Sequence, residues 1–319
     1  MENKVRYVLK HVLDDLYSLG KGTKRGQLKR EMEKLTGIKQ SYFIHTSKTK
    51  VRYEQAVMRF CDYLESQGIK REKHLDKIST EELQKIVDNY FKELAQKGLS
   101  QSTIKIHIAA LEKTLEVVRP DIKQYLENDT NRVGWWSEGR APRKREPYAD
   151  PEAIRGRLNE THRMIAEAQT LAGFRIREIA KAKVDRSEYK IVIHKAKGGR
   201  TRELFFQHRK EDFEKLANLI EKLQERHYEK HLKDYYRDLK NAAKATGQAY
   251  NASHSFRHEY AEHRIEELKR NEEERRELIE KYNIEDKVKD NNDAERESDA
   301  VLTQELGHNR IKMSRYYYR

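Results

Sequence analysis

The sequence predicts a mainly α protein of two domains, the second carrying a small antiparallel β-hairpin or sheet. Three observations lead there. Apolar residues recur at helical spacing along most of the 319-residue chain, in runs closed by glycine or proline. Strand character belongs to two short neighbouring stretches, 188–194 and 201–206, with a Lys-Gly-Gly-Arg turn between them. Finally, Pro142, Pro147 and Pro151, three of the four prolines, crowd into ten residues beside Arg140, Arg143, Lys144 and Arg145, and so divide one helical set from another.

Residues 1–45 begin with an amphipathic run (Val5, Val8, Leu9, Val12, Leu16) and continue with a basic stretch from Gly20 to Arg30. This is either an arm that touches nucleic-acid phosphates or a helix lying on the next domain. Residues 46–128 read as a helical bundle. Val51, Met58, Cys61 and Leu64 share one face of a helix that ends at Gly68. Ser79 and Glu82 have capping-box spacing, and the helix they open runs through Ile86, Tyr90 and Leu94 to Gly98. Ile104, Ile108, Leu111 and Leu115 mark a third, which Pro120 stops.

Residues 129–150 form the basic proline-containing linker, lying along a phosphate backbone or simply solvated. Trp135 and Trp136 within it either stack on bases or pack on a domain. The second domain, 151–319, opens with Asp150 as N-cap and Pro151 as first helical residue. Its first helix is expected to reach Leu171, where Gly173 breaks it.

The formal net charge of +13 and an isoelectric point near 9.4 point to a polyanionic partner, of which nucleic acid is the commonest. Cys61 is the single cysteine, which excludes a disulfide framework and a Cys-based zinc site and fits a reducing cytoplasm. There is no long uncharged apolar run, so neither secretion nor a membrane is expected.

Four short motifs carry chemistry. They are Ala172-Gly173-Phe174-Arg175-Ile176-Arg177-Glu178-Ile179, then Ala196-Lys197-Gly198-Gly199-Arg200-Thr201-Arg202 on the hairpin, then His254-Ser255-Phe256-Arg257-His258, and finally Leu306-Gly307-His308 with Tyr317 nine residues on. In this order and composition the chain resembles the tyrosine recombinase, or phage integrase, family, weakly over the helical domain and strongly from residue 171. The resemblance implies a helical, SAM-like core-binding domain over 46–128 and a catalytic domain over 151–319. It assigns Arg175, Lys197, His254, Arg257, His308 and Tyr317 as catalytic.

The implied reaction is metal-independent transesterification through a 3′-phosphotyrosyl link, with no cofactor. Arg175 and Arg257 would offer planar forks of donors to the non-bridging oxygens, and His308 a further donor. Tyr317 would be the nucleophile, His254 its base, and Lys197 the acid for the departing 5′ oxygen. Arg140, Arg143, Lys144, Arg145, Arg200 and Arg202 are candidates for DNA contact without a catalytic role. Glu178 reads as structural support for the His254–His258 helix.

The implied partners are double-stranded DNA with inverted-repeat sites and copies of the same chain, forming a tetramer on DNA from a monomer when free. The implied setting is the bacterial or archaeal cytoplasm, at the nucleoid when the protein acts, as integrase or transposase of a mobile element. The same chemistry would serve a type IB topoisomerase, and a different class of protein, an architectural DNA binder, would keep the charge without the activity.

One segment departs from the family pattern. Between Arg257 and His308 the chain is longer than expected, and the surplus at 264–299 holds nine Lys/Arg against fourteen Asp/Glu, a net of −5. Repulsion from phosphates predicts that this insertion projects away from a duplex as an exposed helix with a thin apolar stripe, either as a solvated spacer or packed on a neighbouring subunit.

Overall fold

The computed structural model describes residues 5–20, 28, 34, 43–70, 72–141, 146–196, 199–288, 293–308, 311 and 315–318. Helices dominate them, with one three-stranded sheet, which is the predicted fold class. The chain divides into two units, Met1–Arg143 and Lys144–Arg319, each with its own core.

In the first unit, helix α1 (Val5–Gly20) sets Val5, Leu9 and Leu13 into the shared core, so Val5–Gly20 is a helix packed on its own domain, while the basic stretch that follows lies almost entirely outside the described residues. The main helices that follow are α2 (Ser47–Ser66), α3 (Thr80–Gln96) and α4 (Gln101–Val118). Each begins where a hydroxyl can satisfy an orphan amide: Thr46 accepts from Thr49 N, Ser79 from Glu82 N, and Ser100 from Thr103 N.

On α2 the buried face is Ala56, Val57, Phe60, Cys61 and Leu64, whereas Val51 is exposed and Met58 only partly buried. The expected stripe was therefore rotated. Phe60 outweighs Val51 because it covers more apolar area against Tyr90.

The boundary between the two units falls within the linker expected over 129–150, but the start of that stretch is part of the first unit. Asp129–Ser137 is a helix, α5, which buries Trp135 in stacked contact with Phe91 while the indole Nε1 donates to Asp88 at 2.7 Å. Arg140 extends the same unit, since its N–H donates to Leu99 O and its carbonyl accepts from Gln101 N. On the other side, Tyr148 is buried against Phe256, and Ser255 Oγ donates to Glu146 O, so this stretch belongs to the second unit.

The second unit opens with α6 (Pro151–Arg155), capped by Asp150, and α7 (Glu160–Ala172). These are two helices and not one. Gly156 ends the first, and the Asn159 carboxamide accepts from His162 N to start the second. Strands β1 (Ala182–Asp185), β2 (Lys190–Ile193) and β3 (Arg202–Phe205) pair antiparallel in that order. Ile191, Ile193 and Leu204 point inward onto α7 and onto α8 (Lys210–Glu225), whose Phe213, Leu216 and Ile220 complete the core.

Next come α9 (Leu232–Ala245), α10 (His254–Arg270), α11 (Glu272–Lys281) and α12 (Ala294–Glu305). The segment 264–299 does not project. Leu268, Leu278, Ile279, Ile284 and Val288 join Tyr260, Val301 and Leu302 in a second core of this unit. Its charges turn inward too: Arg264, buried, donates to Glu305 of α12 and to Glu274 of α11, with Tyr260 Oη on Glu305 at 2.7 Å. Burial opposes the charge on Arg264, but Glu305 outweighs it and holds the guanidinium protonated. The net acidity predicted a solvated arm because it counted charges without asking which were paired.

Candidate active site

Gly173 ends α7 at a φ of +56°, and a Cβ there would lie 2.5 Å from the Tyr260 ring. Only glycine meets both demands. The turn it permits carries Phe174 into the core and Arg175 to the surface of the cleft, where Arg175 closes on Glu178 three residues later. The Arg175 amide donates to Glu178 Oε2 at 2.8 Å and its Nη1 to Oε1 at 2.7 Å.

The same carboxylate takes Arg202 Nη1 at 2.7 Å and faces Arg257 Nη1 at 3.9 Å. Burial alone would raise the Glu178 carboxyl; the guanidinium groups of Arg202, Arg257 and Arg175 together hold it below the ordinary carboxylate range. One buried anion thus gathers three cations whose mutual repulsion would otherwise spread them.

Arg257 comes from the first turn of α10, on one helix face with His254 and His258. It is wholly buried and donates to the carbonyls of Gly173 and Leu306, with His308 Nε2 at 3.5 Å from its Nη2. Burial, then the charge of Arg202, pushes its pKa down to about 9, which leaves it protonated at neutral pH. Gly307, at φ +62°, lets the end of α12 approach these arginines: a Cβ there would sit 3.2 Å from Arg202 Cδ. Arg175 Nη2 also reaches Leu306 O, at 3.4 Å.

Tyr317 closes the cluster. Its hydroxyl lies 3.0 Å from His254 Nε2, and its ring stacks on His258 (4.5 Å, 29°), borders His308 at 5.3 Å and lies over the Arg257 guanidinium at 5.4 Å. The Arg257 guanidinium has no exposure of its own, so a phosphate can reach it only if the groups around it shift. Arg175, about a fifth exposed, is the arginine already open to solvent.

Residues 44–117, the helical bundle of the first unit, match the family model described as the phage integrase N-terminal SAM-like domain. This match supports the resemblance of the chain to the tyrosine recombinase (phage integrase) family. No curated protein and no solved structure matches it. A phage integrase-like domain supports a general role in DNA integration, and with it DNA binding. Among the described residues no helix is long and apolar enough to cross a membrane.

In the second unit, Arg175, His254, Arg257, His308 and Tyr317 converge on one cleft. Lys197 lies outside the described residues, as do Arg143 and Lys144 with Arg145 of the basic stretch. The hairpin that carries Lys197 is described up to Ala196, whose amide donates to Arg200 O.

Arg140 and Arg200 are exposed. Arg202, expected to lie against DNA, is instead 4% exposed and spends its donors on Glu178 and on Ala172 O at 2.7 Å, so it braces the cleft from beneath. Sequence reasoning missed this although a signal existed: in β3, Arg202 is two residues before Leu204, and a strand's period of two puts both on the buried face. His258 was passed over likewise, yet its place one helical turn after His254 puts it on the face that meets Tyr317.

Proposed function

We propose that this protein cuts and rejoins DNA as a site-specific recombinase, with Tyr317 as nucleophile, in the service of integration or transposition of a mobile element. The observation that carries this reading is the 3.0 Å approach of His254 Nε2 to the Tyr317 hydroxyl, inside a cluster of guanidinium groups.

A phenol is mostly protonated at neutral pH, and ionising it beforehand costs about 4 kcal/mol. As Tyr317 Oη attacks phosphorus, His254 Nε2 takes its proton; the Oη–P bond forms as the P–O5′ bond breaks. Arg175 and Arg257 stabilise the charge that grows on the non-bridging oxygens, and His308, beside Arg257, adds a donor. The leaving 5′ oxygen takes its proton from Lys197, a role that rests on the resemblance of its hairpin motif. The 3′-phosphotyrosyl bond conserves the energy of the broken ester, so the reverse attack by a 5′-hydroxyl reseals the strand without ATP. Arg140 and Arg200, with Arg143, Lys144 and Arg145, contribute contacts to the phosphate backbone.

The test uses a nicked duplex built from the inverted repeats flanking the gene, which traps cleaved DNA on the protein. The wild-type protein should form a covalent adduct in EDTA, because guanidinium groups supply the positive charge at the phosphate. Peptide sequencing should place the DNA on Tyr317, and Tyr317→Phe should give no adduct. A strict metal requirement, or an adduct in that variant, would refute the proposal. Relaxation of a supercoiled plasmid without pairing of two sites would indicate a topoisomerase instead.

A further inference from the structure

Tyr317 stands in a run of three tyrosines, and a carboxylate outside the cleft separates it from Tyr318. Arg315–Tyr317 is a 3₁₀ turn. In that geometry residues three apart eclipse, so Arg315 and Tyr318 face one side while Tyr317 faces another. The side they share holds Asp299 of α12, which has no exposed surface: Arg315 Nε donates to its Oδ2 at 2.8 Å, and Tyr318 Oη donates to its Oδ1. On the far side, His258 stacks on the Tyr317 ring and brings Nδ1 to 3.2 Å from the Tyr317 carbonyl oxygen.

We infer that Asp299 is a positioning residue, the buried anchor of a latch which Arg315 and Tyr318 close, and that this latch holds Tyr317 in the cleft of its own chain and selects it among its neighbours. The inference rests on the reading of Tyr317 as nucleophile. Its physical basis is the asymmetry of buried charge. A carboxylate in the interior is tolerated while charged and polar donors answer it, and withdrawal of the tail would strip it of the Arg315 guanidinium and the Tyr318 hydroxyl. The tail is therefore biased to return to the same chain, and delivery of Tyr317 to a partner's cleft is disfavoured. Tyr318, committed to Asp299, is withdrawn from competition for the phosphate.

Full-length Asp299→Ala, Tyr318→Phe, Arg315→Ala and Arg315→Lys proteins, assayed on the nicked duplex under single-turnover conditions, test this. Asp299→Ala should cleave about a hundredfold more slowly, and Tyr318→Phe and Arg315→Ala about tenfold, the scale of an ångström-sized misplacement. Arg315→Lys should recover much of the Arg315→Ala loss, and DNA affinity should stay at the wild-type value in all four. A global loss of structure would not give that division between rate and affinity. Trypsin should also reach the tail sooner in the slowed variants.

A mixture of Tyr317→Phe and Arg175→Ala chains, which can cut only by sharing a tyrosine, should give no adduct. If Asp299→Ala does not fold, the Arg315 and Tyr318 variants decide. Should the wild type form an adduct while these variants match its rate, or should the mixture cleave, the latch is refuted and the nucleophile assignment stands. No adduct from the wild type would refute the assignment and the latch with it.

Discussion

His254 and Tyr317, sixty-three residues apart in sequence, meet at 3.0 Å between an imidazole Nε2 and a phenolic oxygen. The pairing joins the start of α10 to a turn near the chain end, and it gives the proposed nucleophile an acceptor for its proton. His254→Gln keeps hydrogen-bonding capacity but loses basicity, so single-turnover cleavage should fall by about 10² to 10⁴. The loss should shrink as the pH rises toward the range where a free phenol ionises. A wild-type rate in this variant would show that the proton goes elsewhere.

Arg175→Lys and Arg257→Lys keep the charge but lose the planar fork, and both should lose most cleavage. They should differ in stability. Arg257 is fully buried on two carbonyls, whereas Arg175 is partly exposed, so only the Arg257 variant should melt markedly earlier. DNA affinity, measured by gel shift, should survive in Arg175→Lys; its collapse there would make Arg175 an anchor for DNA and not a catalyst.

Replacement of 270–293 by a short Gly/Ser linker should unfold the second unit, because it strips Leu278, Ile279, Ile284 and Val288 from the core and removes Glu274 from Arg264. Each buried aliphatic side chain is worth about 1.5–3 kcal/mol. Arg264→Ala alone, which leaves Glu305 and Glu274 buried against each other, should cost about 3–5 kcal/mol in urea denaturation. A replaced chain with native melting and full recombination would mean that the segment is a spacer after all.

His107 gives the first unit a pH response. Its Nδ1 lies 2.8 Å from the buried Tyr90 hydroxyl, and burial, reinforced by the charge of Arg59, pushes its pKa down to about 4. Between that value and the ordinary 6.5 the unfolded chain binds the proton and the folded one does not, so this contribution is complete above pH 6.5 and is lost as the pH falls toward 4. The span amounts to about 3 kcal/mol at most.

Glu112, pushed up to about 7 chiefly by burial, tilts stability the opposite way, with loss as the pH rises from about 4.5 to 7. The two therefore need separating by difference. Denaturation of wild type and His107→Gln at pH 7 and pH 4.5 should show the wild type losing more on acidification, and equal losses would remove His107 from the account.

The sequence by itself determined the helical class, the caps at Ser79 and Asp150, the turn at Gly173 and the order of the chemical motifs. Each of these is local: an apolar period, a hydroxyl or carboxylate beside free amides, or a backbone angle that only glycine adopts easily. Tertiary structure decided what depended on partners distant along the chain. It drew Trp135 out of the expected linker and onto Phe91, and it turned Arg202 from a DNA contact into a brace for Glu178. It also folded the acidic insertion back on α12, because a charge count does not reveal that Arg264 lies between Glu274 and Glu305. Burial makes the difference: a buried charge is tolerable only beside its counter-charge, and which residues become neighbours is decided by how the helices pack and not by their order in the chain.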